Sequence, residues 1–466
     1  MKALSVKPVL LLISSLVFIC ACKTDSSTTT TVTPASATIT AINCTGTTFS
    51  ASAVSGTAYT GTATVPYAGG NAVAYAAGTA IASTGITGLN ATLQVGTLAT
   101  GAGNLTYSLS GTPSGAGTAT FALSFGGQTC NLALIVSASA TMPGTTTVVP
   151  GTGVTAVVNA ANAFLATLTA IQLATAQLAY SKTDATKWSN LPDGLYNGRI
   201  GIKLSQLNAT QSAAFYTLMG TVLAQNVTNE GVDELEGSLV ADDYLGANGG
   251  GATYSRGNFH LAFLGTPSTT GLWELQFGGH HYTFANTYNG GKVTGVTPSF
   301  RAVEPQAAVT ANSRTYQSME QERQAFADLL TGLSSSEQTT AKLSSTFNDV
   351  LLGPGKDGQF PTTKSGLKAG DLTAAKKTLV LNAIKLYVND LDPATAATIL
   401  AQYTAELDNT YISYTGTTAV TAQNDYIRID GPNVWIEFSY QGGIVIRNTP
   451  HPHSVWRDRT GDYGGN

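Results

Sequence analysis

Two rhythms of apolar residues divide the chain. Between residues 37 and 137, short runs such as "TATVPYAG", "NATLQVG", "LTYSLSG" and "TATFALSFGG" alternate apolar with small or polar positions, parted by glycine-rich turns. A period of two suits strands with one buried face, so this stretch is expected to form an all-β antiparallel sandwich. A Thr/Pro/Gly segment at residues 138–153 reads as a linker, and the rhythm changes after it. In "VTAVVNAANAFLATLTAIQLATAQLAYS" apolar residues recur three and four apart, which predicts one helix. "NATQSAAFYTLMGTVLAQ" predicts another, with Asn208 and Gln211 at capping-box spacing. "NFHLAFLG", "GLWELQFGG" and "HYTFANTYNGG" return to strand periodicity. Helices resume in "SMEQERQAFADLLTGL", "TAAKKTLVLNAIKLYVNDL" and "DPATAATILAQYTAEL", the last with Asp392 as N-cap and Pro393 at the first helical position. "DYIRIDGP", "NVWIEFSY" and "GGIVIRN" are expected as closing strands. Helices and strands arriving in blocks argue for an α+β domain with an antiparallel sheet over residues 154–466. No internal repeat is evident in it.

Composition narrows the partners. Charged residues are 11% of the 466, and Lys plus Arg number 23 against 27 for Asp plus Glu, with no basic run. A polyanion finds no electrostatic footprint on such a chain, so nucleic acid is not an expected partner. Residues 1–21 read as an export signal: lysines flank the start, and "VLLLISSLVFICAC" is an apolar run too short to span a membrane. "ICAC" resembles a bacterial lipobox, and "CKTD" resembles surface-export signals of some Gram-negative lipoproteins. The resemblance implies that Cys22 is lipidated and that residues 22–36 tether an exported protein to the outer membrane through acyl chains. An ordinary signal peptide with an incidental cysteine is the alternative. Cys44 and Cys130 bracket the β-rich stretch and, in an oxidising compartment, are expected to form a disulfide. That stretch is similar to small Ig-like modules, contains no histidine and few charges, and suits a spacer or adhesive role.

The familiar catalytic motifs are missing: the sequence has no P-loop, Rossmann glycine pattern, HExxH, cysteine metal knuckle or GxSxG elbow. Histidine is what stands out. All five (His260, His280, His281, His451 and His453) fall in strand-like segments of the α+β stretch. "PHPHSVWRD" sends His451 and His453 to one face of an extended chain, a common way to give one metal two imidazoles. In "GGHHYTFANT" adjacent residues of a straight strand point apart, so one of His280 and His281 is expected to reach the same site, unless the glycines make a turn. His281 is the expected partner of His453. Glu274 is a candidate oxygen ligand, as are Glu304, Glu437 and Asp458; Asp458 also suits orienting a histidine, and Arg457 binding an anion. Such a histidine site suits Zn, Cu or Fe and supports hydrolytic or oxidative chemistry, with His281, His453, Arg457 and Asp458 as catalytic candidates. Two other readings stay open. One is a non-enzymatic extracellular module whose aromatics and Arg457 grip a small-molecule or polymer ligand. The other is a set of hydrogen-bonded histidines packed beside Trp273, Tyr282 and Trp456. "VADDYLGANGGG" lacks the alternating ligands of a calcium loop and reads as a solvated loop.

These residues carry a family resemblance. "LGTPSTTGLWELQFGGHHYTFANTYNGGKVTGVTPSFRAVEP" and "DYIRIDGPNVWIEFSYQGGIVIRNTPHPHSVWRDRTGDYGG" resemble the bacterial domain-of-unknown-function family 3500 (DUF3500). By that resemblance Gly279, His280 and His281 correspond to the family's "GHH", and His453, Trp456, Arg457, Asp458, Asp462 and Tyr463 to its closing motif. The family brings no activity with it, so the resemblance implies where a site lies and adds no chemistry.

Overall fold

The computed structural model describes residues 35–55, 58–115, 117–137 and 153–465. The expected export signal, Cys22, nearly all of the tether and most of the linker lie outside those residues.

Before residue 138 the chain is all β. One sheet has Tyr59–Asn71 paired to Thr100–Gly111 at its centre; a second pairs Gly117–Phe125 with Gln128–Ser137. The sheets share a core in which Val65, Leu105 and Leu109 meet Phe121, Leu123 and Leu132, the buried alternate positions of each strand. Cys44, just after the first strand, is disulfide-bonded to Cys130 in the last.

The second region is α+β. Its main sheet has twelve strands. The eight that matter here are β1 (His260–Leu264), β2 (Trp273–Gly278), β3 (Tyr282–Asn289), β4 (Ser299–Ala302), β5 (Tyr411–Thr415), β6 (Tyr426–Asp430), β7 (Val434–Gln441) and β8 (His451–Asp458). They lie side by side as β1-β2-β3-β4-β8-β7-β6-β5, every neighbouring pair antiparallel. Helices α1 (Val154–Ala166), α2 (Ala170–Ala176), α3 (Ala209–Val222), α4 (Val232–Leu245), α5 (Glu320–Gly332), α6 (Ala374–Val388) and α7 (Pro393–Ala405) accompany them. One face of the sheet packs on helices. There Leu275, Phe277 and Phe284 meet Phe164, Phe215 and Leu235, while Ile427, Ile436 and Phe438 meet Phe326, Leu330 and Ile384. Each such side chain contributes roughly 1.5–3 kcal/mol by leaving water. Loops cover the other face, where Trp188, Phe300, Val455 and Tyr463 form a smaller cluster.

The region is built twice, a plan not evident from the sequence. α1, α2, α3, α4 and β1–β4 are followed by a 13-residue helix, a 7-residue helix, α6, α7 and β5–β8 in the same order. Before α3 the chain reads "GIKLSQLNA" and before α6 "GLKAGDLTA". Gly201 and Gly366 both have positive φ, and a Cβ there would strike the carbonyl of Leu261 or Ile412, the matching residues of β1 and β5. The two halves meet where β4 pairs with β8.

Three local expectations need correction. The predicted helix over residues 154–181 breaks at Thr169, whose side chain accepts from Gln172 N–H in a capping box and starts α2 afresh. "VADDYL" is not a solvated loop but the end of α4, a helix buried on nearly every side. "GGIVIRN" is not a strand: the N–H groups of Ile444, Val445 and Ile446 all donate to Glu304 Oε1, at 2.8–2.9 Å, which curls the backbone out of a ladder. The closing strand is "HPHSVWRD" instead. Asn208 with Gln211 and Asp392 with Pro393 cap α3 and α7 as expected.

Candidate metal centre

Register across the seam assembles the histidines. His453 of β8 pairs with Ala302 of β4, and Ala302 N–H donates to His281 O at 2.7 Å, so the three residues stand in one row. His451, two residues along β8, points to the same face. His281 belongs to no strand. Gly278 ends β2 and Tyr282 opens β3, leaving residues 279–281 as the turn, with His281 at φ 65°. Gly279 is required there because a Cβ would enter the Phe259 ring. The turn, rather than strand alternation, decides where the adjacent pair points. Its two rings stack, centroids 3.6 Å apart.

The Nε2 atoms of His451 and His281 each lie 3.2 Å from His453 Nε2. One ligand nitrogen from each of the three falls within 4.8 Å of the others, and all three side chains are buried. Burial and the neighbouring imidazoles push His281 well below its ordinary value and His451 down to about 2. His281 and His451 are therefore held as neutral imidazoles, and the Nε2 atoms of all three rings converge. A tetrahedral ion with metal–nitrogen bonds of roughly 2.0–2.1 Å separates its ligands by roughly 3.3–3.4 Å, close to the 3.2 Å that parts His453 Nε2 from each of the other two. Outer contacts fit as well: His453 Nδ1 faces Asp349 Oδ1 at 3.1 Å, the carboxylate partner that ligating histidines usually have. His451 Nδ1 is buried without a partner.

The other expected residues are placed as follows. His280 stays beside the trio but turns to Asp242 of α4, Nδ1 to Oδ1 2.5 Å, with Tyr254 edge-on to its ring. Glu274 is buried on the same face of the sheet, further along, and accepts from Thr287 Oγ1 and Gln276 Nε2. Arg457 is fully buried and its donors are engaged within the protein, by Leu352 O, Gly353 O, Asp357 and Asp462. Asp458 lies on the opposite face of β8 from His453 and accepts from Tyr403 Oη. Glu437 accepts from the N–H groups of Leu351 and Leu352. Arg457 and Glu437 thus pin the segment that presents Asp349, a positioning role. His260 lies apart from the trio, on β1. Asp242 and Asp349 were missed in the sequence. Asp242 is hidden in an acidic helix, and Asp349 sits in a loop with no periodicity to mark it.

No curated protein and no solved structure matches the chain. The family model described as "Protein of unknown function (DUF3500)" matches residues 150–465, all of the α+β region and every residue of the histidine cluster. The chain belongs to the DUF3500 family.

Proposed function

We propose that His281, His451 and His453 together bind one transition-metal ion, Zn²⁺, Cu²⁺ or Fe²⁺, and that this centre supports hydrolytic or oxidative chemistry. The observation that carries the reading is the convergence of three buried Nε2 atoms from both halves of the sheet. Three imidazoles leave a coordination position open, where a bound ion activates water or polarises a substrate oxygen. Asp349 orients His453, and Asp242 holds His280 against the stacked ring of His281. Elemental analysis of tag-free protein tests it: about one metal per chain is expected, falling to background in His281→Ala and His453→Ala. Wild-type protein that neither carries a metal nor takes up Zn²⁺ or Cu²⁺ more tightly than the variants would contradict it.

Export and lipid anchoring through Cys22 form part of the same proposal, and the Cys44–Cys130 disulfide suits the oxidising compartment they imply. Cys22→Ala should move the protein from the membrane fraction to the soluble one; unchanged partitioning would refute the anchor.

A further inference from the structure

A cleft opens beside the histidine trio, on the same face of the sheet. Trp188, Arg199, His260, Gln276, Gly278 and Thr283 line it. Phe300 joins the two places, its ring 6.3 Å from that of Trp188 and 5.5 Å from that of His453. Arg199 Nη2 donates to the carbonyls of Ser189, Leu191 and Gly279. Its Nε and Nη1 are buried with no partner, as is the hydroxyl of Thr283. Among the described residues no carboxylate pairs with Arg199: its neighbour Asp193 is bound to Lys203 at 2.9 Å. Burial pushes the guanidinium below its ordinary value, outweighing the opposing pull of Asp193, Tyr196 and Asp242 nearby. An enclosed cation left in that state is costly unless something fills the gap.

The second half of the fold shows what fills it. Counting from the paired glycines, Gly201 and Gly366, Arg199 corresponds to Lys364. The ladders run Lys203·His260·Gly278·Thr283 in the first half and Lys368·Tyr411·Asp430·Trp435 in the second. Lys364 Nζ donates to Gly431 O, as Arg199 does to Gly279 O, and also to Asp430 Oδ1 at 2.7 Å. So the cation of the second half has a carboxylate built in. In the first half the position of that carboxylate is Gly278, and the place of the Trp435 indole is taken by the smaller Thr283.

From this pairing we infer that the cleft is a binding site for the carboxylate of a small organic acid, received by Arg199 Nε or Nη1 and Thr283 Oγ1. Its apolar body lies against Trp188. The site adjoins the trio but does not depend on a metal there, so the two readings fail separately.

The test uses tag-free full-length protein stripped with EDTA, and benzoate and acetate as probes, followed by titration calorimetry. Saturable one-to-one benzoate binding is expected in the wild type. Arg199→Met should weaken it at least tenfold, while Arg199→Lys keeps it within a few-fold. Thr283→Val, which removes the second donor at nearly constant volume, should also weaken it at least several-fold with the melting temperature held, and decides the matter if Arg199→Met does not fold. No saturable binding in the wild type, or wild-type affinity in Arg199→Met or Thr283→Val, overturns the inference.

Discussion

His453 is the middle member of the trio, with one ring nitrogen 3.2 Å from both other histidines and the second facing Asp349. Removing the carboxylate charge there should loosen the ligand without removing it. Asp349→Asn is predicted to weaken metal binding about 10–100-fold, read by competition with a chromophoric chelator; unchanged affinity would show that Asp349 plays no part. Glu274 makes a different prediction. Burial pushes its carboxyl up to about 7 from an ordinary value of 4.5. The folded chain holds that proton more tightly than the unfolded one, so the stabilisation is full below the unfolded value and is lost as pH rises through about 7. Glu274→Gln cannot lose it. Relative to wild type the variant should gain on the order of 2–3 kcal/mol between pH 4.5 and 8, measured by urea unfolding across that range. Parallel pH profiles for the two proteins would contradict the assignment.

At the scale of elements, the sequence marked caps and buried strands well because their signals are local. Asn208, Asp392 and Pro393 act within one turn of where they stand, and β1–β3, β6 and β7 announce themselves by composition. It failed where a distant residue decides. "GGIVIRN" has every mark of a strand, yet Glu304, some 140 residues earlier, gathers three of its N–H groups. Those bonds hold the loop leading straight into His451. Glu304→Gln should cost about 1–3 kcal/mol and speed amide exchange at residues 444–446 more than elsewhere. Exchange that rises evenly over the whole chain, or not at all, would count against this role. The turn at residues 279–281 has the same origin. The paired glycines allow "HH" to leave strand alternation, but the left-handed φ of His281 is settled by contacts with Phe259 and Ala302.

Across the whole molecule, the two-region plan was legible from the shift in apolar periodicity, while the duplication within the second region was not. Its halves match in the order of elements, in the Gly-x-Lys start and in caps, yet outside "GIKLSQLNA" and "GLKAGDLTA" few identical residues survive for a period to show. The duplication matters because the trio straddles its seam. His281 comes from the first half and His451 and His453 from the second, and only the β4·β8 pairing brings them into register. The disulfide belongs to the other region, whose core is separate. Closing a loop across a separation of 86 residues, it should stabilise that region by about 2–5 kcal/mol. Cys44→Ser is therefore expected to lower the melting of the β region and leave metal uptake unchanged; a variant that lost metal would join the two regions more tightly than their separate cores suggest. The central claim stands or falls on the trio itself. Anomalous diffraction from crystals grown with Zn²⁺, recorded at the zinc edge, should show one peak about 2 Å from Nε2 of His281, His451 and His453 together. An intact trio with no peak, or zinc bound only elsewhere, would contradict it.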